Sequence, residues 1–112
     1  MGARDAIADV VGAVAGLAAL GADRVEASPL NLGGGKIATA HGTLPVPAPG
    51  TAELLKGIPC YGSEVEAELT TPTGAAILAT VAHAFGPPPL LTVRAVGYGA
   101  GSRELAGRPN CL

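Results

Sequence analysis

Aromatic side chains are scarce in this sequence, and tryptophan is absent. Tyr61, Phe85 and Tyr98 are the only aromatic residues among 112, and they are too scattered to predict a platform for stacked nucleic-acid bases. Seven basic residues against nine acidic ones form no basic stripe, so neither nucleic acid nor an anionic membrane is an expected partner. The hydrophobic core must therefore consist mainly of Ala, Val, Leu and Ile.

Cysteine is also scarce. Cys60 and Cys111 are the only thiols, and without a CxxC spacing they indicate neither a zinc site nor a redox pair. The apolar stretch 7–20 is too short to span a bilayer, and it lacks the basic leader and processing site of a signal peptide. These absences favour a cytoplasmic protein with reduced thiols.

The length predicts a single domain over residues 1–112, with one hydrophobic core. Apolar spacing, prolines and glycines predict two longer helices and one short helix, at 5–20, 71–85 and 49–56. Strands are expected at 24–27, at 36–40, within 58–69 and at 90–96. The fold class is therefore α+β, with a mixed sheet of about four to five short strands packed against these helices.

The glycine-rich segment before Lys36 invites comparison with a phosphate-binding loop. Gly33, Gly34 and Gly35 stand directly before this lysine, but the phosphate-loop motif has a longer spacing and a Ser or Thr after its Lys. A hairpin-like turn is the better interpretation.

The most informative stretch is 68–76, where a strand is expected to lead directly into a helix. Thr71 is a good N-cap, and Pro72 suits the first helical position because its missing N–H costs nothing there. Thr73 and Gly74 then offer backbone N–H groups at the positive end of the helix dipole, which is the chemistry of an anion site. Glu68 is near enough in sequence to hold a metal ion beside it. An ordinary capped helix explains the same residues, and the local sequence leaves both interpretations open.

Four segments taken together resemble one protein family. They are DAIADVVG at 5–12, AHGTLPVPAP at 40–49, ELTTPTGAA at 68–76 and GYGAG at 97–101. In this order they resemble the central region of the nickel-insertion proteins that complete the nickel-pincer nucleotide cofactor of lactate racemase. The resemblance extends over essentially the whole chain.

The resemblance implies a specific activity. Proteins of this family insert nickel into pyridinium-3,5-bisthiocarboxylic acid mononucleotide, as a nickel chelatase (a lyase), and hydrolyse CTP with magnesium or manganese. They are longer than this chain, with an acidic, glycine-rich N-terminal segment, a stretch containing His and Glu, and a separate C-terminal domain. A fragment without those segments is expected to keep the fold and to lose activity, since imidazole and carboxylate groups are natural metal ligands.

Other candidate site residues lie within the matching segments. Asp5 and Asp9 are four residues apart and so share a helix face, where they could hold the cation that accompanies CTP or, for Asp5, stabilise the helix N-terminus. His41 could bind a metal ion or donate to a phosphate, or be a surface residue. Tyr98, in a glycine-rich loop, could stack on a pyridine or cytosine ring, or anchor a turn.

A second hypothesis comes from the first helix, which is rich in Ala and Gly. Gly12 and Gly16 are one turn apart and would permit close approach by another subunit. The chain would then be a non-catalytic oligomerisation or scaffold domain of a homo-oligomer.

Overall fold

The computed structural model describes residues 3–40 and 42–101. Within these residues, three α-helices and six short strands follow one another along the chain. They are α1 (Ala3–Ala19), β1 (Glu26–Ala27), β2 (Leu30–Asn31), β3 (Lys36–Thr39), β4 (Gly42–Pro45), α2 (Pro49–Leu54), β5 (Cys60–Tyr61), α3 (Pro72–Val81) and β6 (Ala84–Phe85). The α+β class is confirmed, and so is the expectation of two longer helices and one short helix.

The strands form three two-stranded sheets rather than one mixed sheet. β1 pairs with β6 and β2 with β5, both in parallel, while β3 and β4 form an antiparallel hairpin. β1 and β2 lie on either side of Pro29, which has no N–H to donate to a ladder. Within the described ranges, this proline lies between two pairings that have different partner strands.

The core lies between α2, α3 and the segment that contains β2. Its buried members are Leu30, Leu55 and Ala75, whose exposed fractions are 8%, 5% and 0%. Four partly buried hydrophobic residues pack against them: Leu32, Ile58, Leu78 and Phe85. α1 also packs against α3. In the part of the chain that is described, no helix is both long enough and apolar enough to cross a membrane.

The third helix is shorter than the sequence predicts. It ends at Val81 instead of continuing to residue 85, because Ala82 is already extended and Ala84–Phe85 pair with β1. His83 supports this change of direction: its backbone N–H donates to the carbonyl of Val25 (2.8 Å), and its Nδ1 accepts from the Val25 N–H (3.2 Å). Strand pairing with a distant segment therefore ends the helix.

One strand prediction was wrong, and another holds only in part. Residues 91–99 have no regular secondary structure, so the strand expected at 90–96 does not form. Within 58–69 only Cys60–Tyr61 form a strand, and Glu68 makes an isolated bridge with Gly33. Residues 64–67 form no strand. β-propensity produces a strand only where a partner strand is available.

The glycine-rich loop owes its composition to close packing against another backbone segment. Gly33 has a φ of 81°, and a Cβ at this position would overlap the carbonyl oxygen of Ala67. A Cβ on Gly34 would lie 2.6 Å from the carbonyl oxygen of Ser63. The Gly34 N–H donates to Ala67 O (3.3 Å), and the Gly33 N–H donates to Asn31 Oδ1 (3.0 Å). The Gly34 amide therefore joins two chain segments and the Gly33 amide makes a local bond, so neither is left to bind a phosphate.

Candidate functional site

The start of α3 has the geometry that the sequence predicts. Thr71 is the N-cap, in an extended conformation, and its Oγ1 accepts a hydrogen bond from the Gly74 N–H (3.2 Å). Pro72 occupies the first helical position, and the first backbone hydrogen bond runs from Ala75 N–H to Thr71 O (2.9 Å). The prediction of a capped helix start is therefore confirmed.

The helix start also leaves a donor for a ligand. Pro72 has no N–H and the Gly74 N–H is taken by the cap, while the Thr73 N–H donates to no acceptor within residues 3–40 and 42–101. Thr71 and Pro72 are exposed, while Thr73 and Gly74 are half-buried. The terminus is thus accessible, and an anion placed there would meet an N–H group at the positive end of the helix dipole.

Glu68 connects the segment before α3 to the neighbouring helix. Its carboxylate accepts a hydrogen bond from the hydroxyl of Thr51 (3.2 Å), which is fully buried in α2. The bridge to Gly33 fixes the backbone of Glu68 at the same point. A half-buried carboxylate is therefore held in a defined position three residues before the cap. Sequence reasoning missed Thr51, because no motif or spacing marks this residue.

Asp5 and Asp9 lie on an exposed part of α1. Both residues are exposed, whereas the half-buried positions of this helix are Ala6, Val10, Ala13 and Leu17. In residues 3–40 and 42–101, no group of three or more His, Cys, Asp or Glu side chains is placed to hold a metal ion. The described chain therefore does not gather Asp5, Asp9 and Glu68 into one three-carboxylate site. Their roles as metal ligands stay predictions.

The remaining candidate residues are in different surroundings. Tyr98 is 88% exposed in a segment without regular secondary structure, so its ring is open to solvent. His41 lies outside the described residues. A cleft of about 190 Å³ is lined by residues 26–28 and 86–89, and none of the predicted site residues lines it.

The whole chain matches a known family. A family model described as "Nickel insertion protein" matches residues 1–112. This chain belongs to the nickel insertion protein family. The resemblance that the four segments indicate is thereby confirmed.

Two relatives in this family carry a more specific name. Both are called "Pyridinium-3,5-bisthiocarboxylic acid mononucleotide nickel insertion protein", one from Nocardioides sp. and one from Desulfitobacterium hafniense. Each is 54% identical over 112 residues, which is 100% of this chain and 28% of the relative. The chain thus spans less than a third of the length of these relatives. No solved structure matches it.

For this member of the nickel insertion family, we expect Thr71→Ala to lower the free energy of unfolding by about 1 kcal/mol, because the Gly74 N–H loses its partner. Urea unfolding followed by circular dichroism measures the change. Thr71→Ser keeps a hydroxyl in place and serves as the matched control, with a much smaller loss. Equal stability of Thr71→Ala and the parent chain would contradict the cap.

Proposed function

We propose that this chain forms part of a protein that inserts nickel into pyridinium-3,5-bisthiocarboxylic acid mononucleotide. The observation that carries the proposal is the family match over residues 1–112, together with 54% identity to relatives that bear the name of this substrate. Nickel is a substrate here, since it leaves in the product, bound between carbon and sulfur donors. We also propose that the reaction consumes CTP in the cytoplasm and that lactate racemase uses the product.

The start of α3 is the proposed phosphate site. Its support is the accessible cap, with the Thr73 N–H available and the Thr71 hydroxyl at the surface. Phosphate oxygens of CTP or of the mononucleotide would accept hydrogen bonds from these groups, and the helix dipole would favour their charge. Gly74 leaves the approach uncrowded, because it carries no side chain. Tyr98 is proposed to stack on the pyridine or cytosine ring.

Magnesium or manganese would accompany CTP. Magnesium in proteins is commonly held by one or two carboxylates plus phosphate oxygens and water, and the exposed pair Asp5 and Asp9 fits this pattern. When bound, the cation would neutralise charge that develops as a phosphate anhydride bond breaks. Glu68 is proposed as a carboxylate beside the phosphate site, and His41 as an assisting donor.

The Asp5→Asn, Asp9→Asn double variant tests the cation site in a full-length protein that contains this chain. We expect CTP turnover at limiting magnesium or manganese to fall at least about tenfold, because the cation loses both aspartate carboxylates. Asp23→Asn is the matched control, since Asp23 is exposed and lies beyond α1. Turnover that is unchanged in the double variant would rule out the cation role of the two aspartates.

A non-catalytic assembly domain is the second candidate function. Gly12 and Gly16 are exposed, and a Cβ at either position would meet no atom within 4 Å, so this face of α1 is open to a neighbouring subunit. Light scattering together with calorimetry separates the two functions. A dimer that gives no heat with CTP and manganese favours assembly, whereas saturable, metal-dependent heat favours the nucleotide site.

A further inference from the structure

The first helix carries apolar side chains on its packed side and also on an exposed side. The half-buried positions of α1 recur at helical spacing, and α1 packs against α3. A second set at helical spacing is exposed: Ile7 at 63%, Val11 at 61% and Val14 at 38%. We call Ile7, Val11 and Val14 the apolar ridge. Each residue of the ridge follows a half-buried residue by one position. Because successive residues of an α-helix are rotated by about 100°, the ridge lies about a quarter of a turn around the helix axis from the packed positions.

The sequence of α1 is that of a helix covered on more than one side. From Val10 to Ala22 there is no charged residue and no polar side chain. A surface helix normally presents charged or polar residues opposite its packed face, whereas a helix that is hydrophobic all round is normally buried. Among the described residues, α3 is the main neighbour of α1, and the exposed apolar side chains of α1 lie outside this contact.

The exposed area of the chain is also larger than that of a compact monomer. The accessible surface is 8200 Å², whereas a compact monomer of 10.9 kDa exposes about 5,600 Å². Fourteen residues lie outside the described ranges, and an unfolded chain of that length exposes about 2,000 Å². The area that remains after this subtraction is still larger than the area expected for a compact monomer. Leu90, Val93 and Val96 contribute to this excess, since each is more than 60% exposed.

We propose that the apolar ridge is an interdomain docking surface, covered by an uncharged, apolar face of the longer protein outside these 112 residues. In the two relatives named for the mononucleotide, the match covers 28% of the length, so most of each protein lies outside the region that corresponds to this chain. The ridge comprises three aliphatic side chains, which is far less than the roughly 800 Å² per partner that a stable dimer buries. A contact within one chain does not lose the translational freedom that association of two molecules costs, so a small ridge suffices.

Thiol labelling at Val11 tests this docking. Val11→Cys is introduced with Cys60→Ser and Cys111→Ser, both in the 112-residue chain and in a full-length protein where this chain replaces the matched region of the Nocardioides relative. We expect alkylation of residue 11, followed by mass spectrometry of its peptide, to be at least tenfold slower in the full-length protein. Ala52→Cys, at an exposed position of α2, is the control for general access of the reagent.

Several outcomes would overturn the proposal. Equal labelling rates at residue 11 in the two proteins would show that nothing outside the chain covers the ridge. If alkylation of residue 11 slows no more than alkylation of Ala52→Cys, the slowing reflects reduced access of the reagent in general and not cover of the ridge. Protection in the 112-residue chain that grows with protein concentration would mean that a second copy covers the ridge. The measurement requires neither nickel nor CTP, so its result is independent of the proposed activity.

Discussion

Gly33→Ala is expected to lower the free energy of unfolding by about 3 kcal/mol. Two effects add up to this loss: alanine is strained in the left-handed backbone conformation, and its Cβ overlaps a neighbouring atom. The φ of 81° is unfavourable for any residue with a Cβ, and the added carbon would overlap the backbone carbonyl oxygen of Ala67. That carbonyl accepts the hydrogen bond from Gly34, so it cannot move away without breaking the pairing of the two segments.

Two control variants separate these causes. Gly57 has a φ of 80° but open space around a Cβ, so Gly57→Ala should cost only about 1 to 2 kcal/mol. Gly12 lies inside α1 with nothing nearby, and Gly12→Ala should stabilise the chain by about 0.5 to 1 kcal/mol. Urea unfolding measures all three variants. If Gly33→Ala costs no more than Gly57→Ala, the close contact with Ala67 does not exist in solution.

Leu55→Ala has the second large expected effect. Leu55 is 5% exposed and packs in the core with Leu30 and Ala75, so truncation removes buried apolar surface and leaves a cavity. We expect a loss of about 3 kcal/mol in the free energy of unfolding, which is a large part of the stability of a domain of this size.

The neighbouring leucine is the matched control. Leu54 is 40% exposed at the end of α2, so Leu54→Ala should cost less than about 1 kcal/mol. The midpoint of thermal unfolding provides a second readout beside urea. Similar losses for Leu54→Ala and Leu55→Ala would contradict the placement of α2 against α3.

The Gly33 prediction also concerns the candidate site. Gly33 bridges to Glu68, and Glu68 precedes the cap of α3 by three residues. A displaced Gly33 segment would move the carboxylate relative to Thr51 and to the helix start. The glycine-rich loop therefore contributes to the proposed site by positioning Glu68, without contacting phosphate itself.

Local sequence was sufficient for the features that are stabilised within a few residues. The start of α3 was predictable because its cap lies within a single turn: the Thr71 hydroxyl accepts from the Gly74 N–H, and Pro72 occupies the first helical position. The first turn of α2 was predictable for a similar reason, since Pro49 suits a helix start. Family membership was also readable from the four sequence segments, and the match over residues 1–112 confirms it.

Tertiary contacts decided the features whose partners are distant in sequence. α3 ends at Val81 because residues 84–85 pair with β1, nearly sixty positions earlier, and no local signal reports that pairing. The stretch 90–96 has strand propensity but no strand to pair with in the described chain. Thr51 in α2 donates to Glu68, and the backbone of Glu68 bridges to Gly33, so three segments distant in sequence meet at this point. Helix caps depend on neighbouring residues along the chain, whereas ladders and buried hydrogen bonds depend on segments that only folding brings together.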